Sequence, residues 1–159
     1  MTVYVSTTYF GDGSSINDAL TDLERLKIKN IELGSNHSST VQQSVNLKNG
    51  TNYIVHNYFP PREKDFILNI ASSSSKIREK SIKFIKHTIN WCQKKGIKYY
   101  TIHPGFFAEA ISQLGHSGKN RNFDLKFSTA STKNRKQTLE ETIKVIIDLY
   151  RFSNYKVQL

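Results

Sequence analysis

Along the chain, short β-branched apolar runs alternate with longer segments in which apolar residues recur at helical spacing, and polar residues gather between them. Thr2–Ser6 (TVYVS) predicts a strand, and Ser14 or Ser15 caps a helix carrying Ile16, Ala19, Leu20, Leu23 and Leu26 on one face. Ile31–Gly34 (IELG) predicts a second short strand, after which the polar stretch Ser35–Asn52 leaves room only for a brief helix over Val41–Leu47. Tyr53–His56 is the third strand. Pro60 and Pro61 keep Asn57–Ser74 out of any strand interior, because proline has no amide hydrogen to give a ladder.

A helix of about five turns follows over Ser75–Lys95, with Ile77, Ile82, Ile85, Ile89 and Cys92 on its inner face and Gly96 at its C-cap. Ile97–Ile102 (IKYYTI) is a fourth strand, running straight into the His103-Pro104-Gly105 turn. The polar stretch from there to Gln137 is long for a compact α/β domain, a length associated with lids and mobile loops. Thr138 and Glu141 make a capping box for a last helix with Leu139, Ile143, Ile146, Ile147 and Tyr150 pointing inward, and Tyr155–Leu159 (YKVQL) closes as a fifth strand. Strand and helix alternate throughout, so the expected class is α/β, a parallel sheet with helices packed outside it.

The length of 159 residues suits one domain, and a hydrophobic share of 37% suits a soluble one. With no long apolar run and no secretory-signal order at the N-terminus, the expected compartment is cytoplasmic, without membrane contact. Cys92 is the sole cysteine, which excludes an internal disulfide and a thiolate zinc cluster, so any metal site would use histidine and carboxylate. The charge of +10 would suit nucleic acid or an anionic substrate. However, Lys76, Lys80, Lys83, Lys86, Lys94 and Lys95 lie along one helix whose other face is apolar, the pattern of a solvated face. Nucleic acid is therefore the lesser partner expectation.

Two strands end on histidine: IVHNYFPP at His56 and YYTIHPGF at His103. The carboxyl ends of parallel strands share one rim, where ligands bind in barrels and in open sheets. Imidazole there could hold a metal or act as acid or base near neutral pH. Glu32, inside IELG, could bind a sugar hydroxyl or pair with a base, and Asn57 is a further candidate for a hydroxyl contact. His37 and His116 fall in polar loops and His87 on the Lys-rich helix, so all three are expected at the surface. No phosphate loop, dinucleotide fingerprint, nucleophile elbow or His-Glu-x-x-His motif is present.

The string VHNYFPPREKDFILNIASSSSKIREKSIKFIKHTINWCQKKGIKYYTIHPGF resembles the xylose isomerase-like TIM-barrel superfamily, which contains sugar phosphate isomerases and epimerases and the metal-dependent AP endonucleases. Its most specific pieces are HNYFPP, LNIAS, the serine of EKSI, and IHPG, and HNYFPP looks more like the sugar branch. The resemblance implies a partial (β/α)8 barrel of about five parallel strands with flanking helices, not closed, residues 1–159 being its N-terminal half. It implies a sugar or sugar phosphate substrate and a divalent metal (Mn, Mg, Co or Zn) in the complete barrel. His56 and His103 are the metal or substrate ligands that carry over, since AP endonucleases use zinc-binding histidines at such positions. The acid–base glutamates are expected beyond Leu159, so this chain alone is expected neither to turn over nor to hold the metal firmly. A C-terminal half-barrel or self-association would complete the site. The alternatives are an AP endonuclease-like DNA repair hydrolase and a non-catalytic half-barrel subunit or remnant.

Overall fold

The computed structural model describes residues 2–10, 14–37, 44–61, 66–107, 109–112, 123–126 and 135–159. β1 (Val5–Ser6), β2 (Asn30–Leu33) and β3 (Asn52–Val55) pair in parallel in that order, with Val5 opposite Ile31 and Leu33 opposite Val55. Past β3 the same parallel order continues through single bridges, Val55 to Tyr100 and Tyr99 to Gln158. The Thr101 amide donates to Val55 O at 2.8 Å, and the Gln158 amide donates to Lys98 O at 2.7 Å. The expected fourth and fifth strands thus occupy their places in the order, reduced to bridging contacts. The architecture is α/β, with three laddered parallel strands in an unclosed sheet.

α1 (Ile16–Arg25), α2 (Ser75–Lys95) and α3 (Arg135–Phe152) are the described α-helices, and Thr7–Phe10 forms a 3-10 turn after β1. Ser15 caps α1, its hydroxyl accepting the Asn17 amide, and Ile16, Ala19, Leu20 and Leu23 are buried at helical spacing. Leu26, expected on that face, lies at the C-cap and is exposed, because the chain has left the helix before the face comes round again. α2 ends in a Schellman arrangement: Gly96 takes the left-handed conformation (φ 69°), its amide donates to Gln93 O, and the Ile97 amide donates to Cys92 O. This cap turns the helix directly into the fourth strand segment. Each aliphatic side chain so buried contributes roughly 1.5–3 kcal/mol, and Phe84, Ile85, Ile89 and Cys92 of α2 join Ile31, Leu33, Val55 and Tyr100 of the sheet in one core.

Local expectations are corrected at several points. Arg135–Gln137 are already helical, so Thr138 lies inside α3 and its carbonyl accepts the Thr142 hydroxyl; the capping box does not start the helix. α3 also seats a partly different face. Thr142 and Leu149 are buried and the expected Ile146 packs partly buried against the core, while Leu139, Ile143 and Ile147 are 51%, 46% and 43% exposed. The apolar arc of this helix is wide, and periodicity alone does not say which half of it meets the core. Finally, the polar stretch after His103 is not structureless, since β4 (Glu109–Ser112) and β5 (Phe123–Lys126) form an antiparallel pair. Of the brief helix expected over Val41–Leu47, residues 41–43 lie outside the described set and the rest is not helical. No described helix is long and apolar enough to cross a membrane.

Candidate functional site

Side chains alternate across a strand, and the register sorts this sheet into two faces. Ile31, Leu33, Val55 and Tyr100 point to the helices and are buried. Glu32, Ile54 and His56 alternate with them on the opposite face and are only partly buried, and Tyr99, Thr101 and His103 of the bridged segment are exposed there. The two strand-end histidines therefore share one face as well as one rim.

The contacts there are specific. The His56 ring lies 5.7 Å from the His103 ring, centroid to centroid, at an interplanar angle of 83°. His56 Nδ1 is 3.2 Å from Glu32 Oε1. An ionised carboxylate can only accept, so Nδ1 carries a proton, and in the neutral ring Nε2 then holds the lone pair. This is the arrangement by which a carboxylate fixes the tautomer and orientation of a metal-ligating imidazole. The strand-end turn is equally constrained. The His56 amide donates to Leu33 O, the Phe59 amide to His56 O, the Tyr100 hydroxyl to Asn57 O (2.9 Å) and the Thr88 hydroxyl to Phe59 O (2.9 Å). Phe59 is buried against Trp91. The aromatic residues of HNYFPP anchor the turn that carries His56.

Asn57, a candidate for hydroxyl contact, is completely buried, and neither its Nδ2 nor its Oδ1 has a hydrogen-bond partner. His37 is a correction, because it is buried near the carboxyl ends of β1 and β2 instead of lying at the surface. Its Nδ1 is 3.2 Å from Ser14 O, a carbonyl that can only accept, so Nδ1 is protonated and Nε2 accepts the Thr7 hydroxyl at 2.9 Å. Thr7 Oγ1 in turn accepts the Gly34 amide at 2.8 Å, and a side chain at Gly34 would overlap Thr8. Burial pushes the His37 pKa below its ordinary value, which keeps the ring neutral in this network. Thr7 and His37 stand far apart in sequence with no motif to link them, so only the fold joins them. His87 is exposed, as expected, and His116 lies outside the described residues.

The donor set fits a divalent metal only in part. His56 Nε2 and the His103 ring can supply two nitrogen ligands of the kind that zinc, manganese or cobalt accept. Among the described residues, however, no group of three or more His, Cys, Asp or Glu is arranged to hold an ion.

No family model matches the sequence. Among curated proteins the chain is similar to "Probable endonuclease 4" of Aquifex aeolicus, 30% identical over 77 residues, which is 48% of this chain and 27% of that protein. It is also similar to "Probable endonuclease 4" of Thermotoga petrophila and of Thermotoga maritima, each 40% identical over 40 residues, 25% of this chain and 14% of the relative. The chain spans little more than a quarter of the length of the first of these relatives and less of the others. These partial similarities are compatible with the xylose isomerase-like TIM-barrel superfamily and, at this coverage, do not fix the family of the chain.

Proposed function

We propose that this chain forms the N-terminal half of a xylose isomerase-like (β/α)8 barrel, whose complete form is a divalent-metal sugar or sugar phosphate isomerase or epimerase. The grouping of Glu32, His56 and His103 on the face opposite the buried core side chains, at the carboxyl rim, carries the reading. The sequential parallel order of the strands, with buried helices on one face, supports the barrel. A bound divalent ion would polarise a sugar carbonyl and its neighbouring hydroxyl. His56 would present Nε2 to that ion or to a substrate oxygen, Glu32 would hold His56 in the required tautomer, and His103 would supply the second imidazole. The remaining ligands and the carboxylates that shuttle the proton come from polypeptide outside these residues. The exposed stripe Leu139, Ile143 and Ile147 on α3 is where the next β/α unit, or a second copy of the chain, would pack.

Cobalt titration of the 159-residue chain, read by calorimetry, tests the site. The expected result is weak binding that His56→Ala or His103→Ala abolishes; binding indifferent to both substitutions would remove these residues from the site. Deuterium exchange into sugar phosphates should be absent for the chain alone, and robust exchange by residues 1–159 would overturn the half-site reading. The endonuclease reading is favoured by the names of the relatives. It predicts binding to abasic duplex DNA that weakens steeply with salt as phosphate contacts are lost, and a salt-independent signal would count against it.

A further inference from the structure

We infer that Asn69 is the positioning residue for His103, acting through the backbone of the Pro104–Phe106 turn; the inference rests on the proposed role of His103 at the rim. Asn69 is buried and grips the turn from both sides. Its Oδ1 accepts the Phe106 amide at 3.1 Å, and its Nδ2 donates to Phe106 O at 3.0 Å. Next to it, the Ile70 amide donates to Pro104 O at 3.0 Å. Oδ1 also accepts the Ala71 amide, which closes the LNIAS segment on itself.

The grip reaches back into the helical layer. The Asn69 amide donates to Ser81 Oγ at 2.9 Å, and the Ser81 hydroxyl donates to Ile77 O at 2.8 Å, so α2 sets the height of Asn69. Gly105 adopts φ 118°, and a Cβ there would overlap the Asn69 side chain and come within 2.8 Å of its Cα. Glycine is therefore required twice, for the dihedral and for the close approach. LNIAS, the serine of EKSI and HPG are distant in sequence, yet they form one hydrogen-bonded unit.

The consequence falls on His103. Its ring is exposed and makes no hydrogen bond among the described residues, unlike that of His56, which Glu32 holds directly. The direction of its Cα–Cβ bond is set by the backbone, and the backbone is set by Asn69. Supporting shells of this kind decide whether a ligand is held to the tolerance that binding needs.

The test is the ring-to-ring nuclear Overhauser cross-peak between His56 and His103 in the metal-free 159-residue chain, with a parallel cobalt titration. Asn69→Ala is expected to abolish the cross-peak and to raise the apparent cobalt dissociation constant about tenfold. Asn69→Asp, which keeps the acceptor and loses the donor, should give an intermediate loss. Leu23→Ala in α1 destabilises the same core away from the turn and should leave the cross-peak intact. A full-strength cross-peak in Asn69→Ala, an equal loss in Leu23→Ala, or no cross-peak in the parent chain would overturn the assignment. If Asn69→Ala does not fold, Asn69→Asp and Ser81→Ala answer the same question. A parent chain that shows the cross-peak and binds no cobalt would sink the metal reading alone, leaving the cross-peak to judge Asn69.

Discussion

On the helix side of the sheet, Leu33, Val55 and Tyr100 are shut off from water, whereas Glu32, His56, Thr101 and His103, drawn from the same strands, remain accessible on the other side. One backbone register produces both faces, because a strand turns successive side chains to opposite sides. The difference lies in what covers them. Three α-helices bury one face and supply its stability, and the other leaves its polar groups accessible to water. Division of labour of this kind predicts that substitutions will separate cleanly into those that unfold the chain and those that alter its chemistry.

The largest expected effect is on the covered face. Phe84→Ala should cost about 3–5 kcal/mol in urea unfolding, and Thr101→Ala on the accessible face about 0.5 kcal/mol or less. Similar costs at the two positions would erase the distinction between the faces.

Asn57 sharpens the contrast with the opposite sign. A buried amide with neither atom bonded carries a desolvation penalty of about 1–3 kcal/mol, so Asn57→Leu should leave stability unchanged or raise it by up to about that much. Marked destabilisation would show that the amide has a partner in solution.

Smaller still is the effect of pH through His37. Its folded pKa lies below the ordinary 6.5, so between those two values the unfolded chain binds more protons than the folded one. Stability from this source is complete above about pH 6.5 and is lost as pH falls toward the depressed folded value. His37→Gln should flatten the fall in unfolding midpoint seen on going from about pH 7 to about pH 5, relative to the parent chain. An unchanged slope would remove His37 from the account. Cys92 offers a companion check. Burial pushes its thiol up to about 12, so alkylation at neutral pH should proceed only as fast as the chain opens.

The smallest effect on stability is expected at Glu32, where Glu32→Gln should barely move the unfolding midpoint. The proton of His56 should nevertheless redistribute between Nδ1 and Nε2, visible in the imidazole nitrogen shifts. A ring that keeps its tautomer without the carboxylate would show that Glu32 does not orient it.

Much of this was legible from the chain. The period of α1, the Gly96 cap, the parallel order and the strand-end placement of His56 and His103 all follow from short-range rules, since spacing and turn chemistry act within a few residues. The phase of α3 was not, because Leu139, Ile143 and Ile147 satisfy helical spacing as well as Thr142 and Leu149 do, and only packing against the sheet and α2 chooses between them. The β4–β5 pair escaped for a related reason, its strands being short and embedded in polar sequence.

By itself, then, the sequence determined the first three parallel strands, α1 and α2, and that two histidines stand at the ends of neighbouring strand segments, because hydrophobic period and proline–glycine punctuation are local. Tertiary structure alone decided that Glu32 meets His56, that His37 is buried on Thr7 and Ser14, and that Asn69 grips the turn behind His103. Each of those contacts spans more than twenty residues of chain, and hydrogen bonds at that distance exist only once the sheet register and the seat of α2 have brought their partners together.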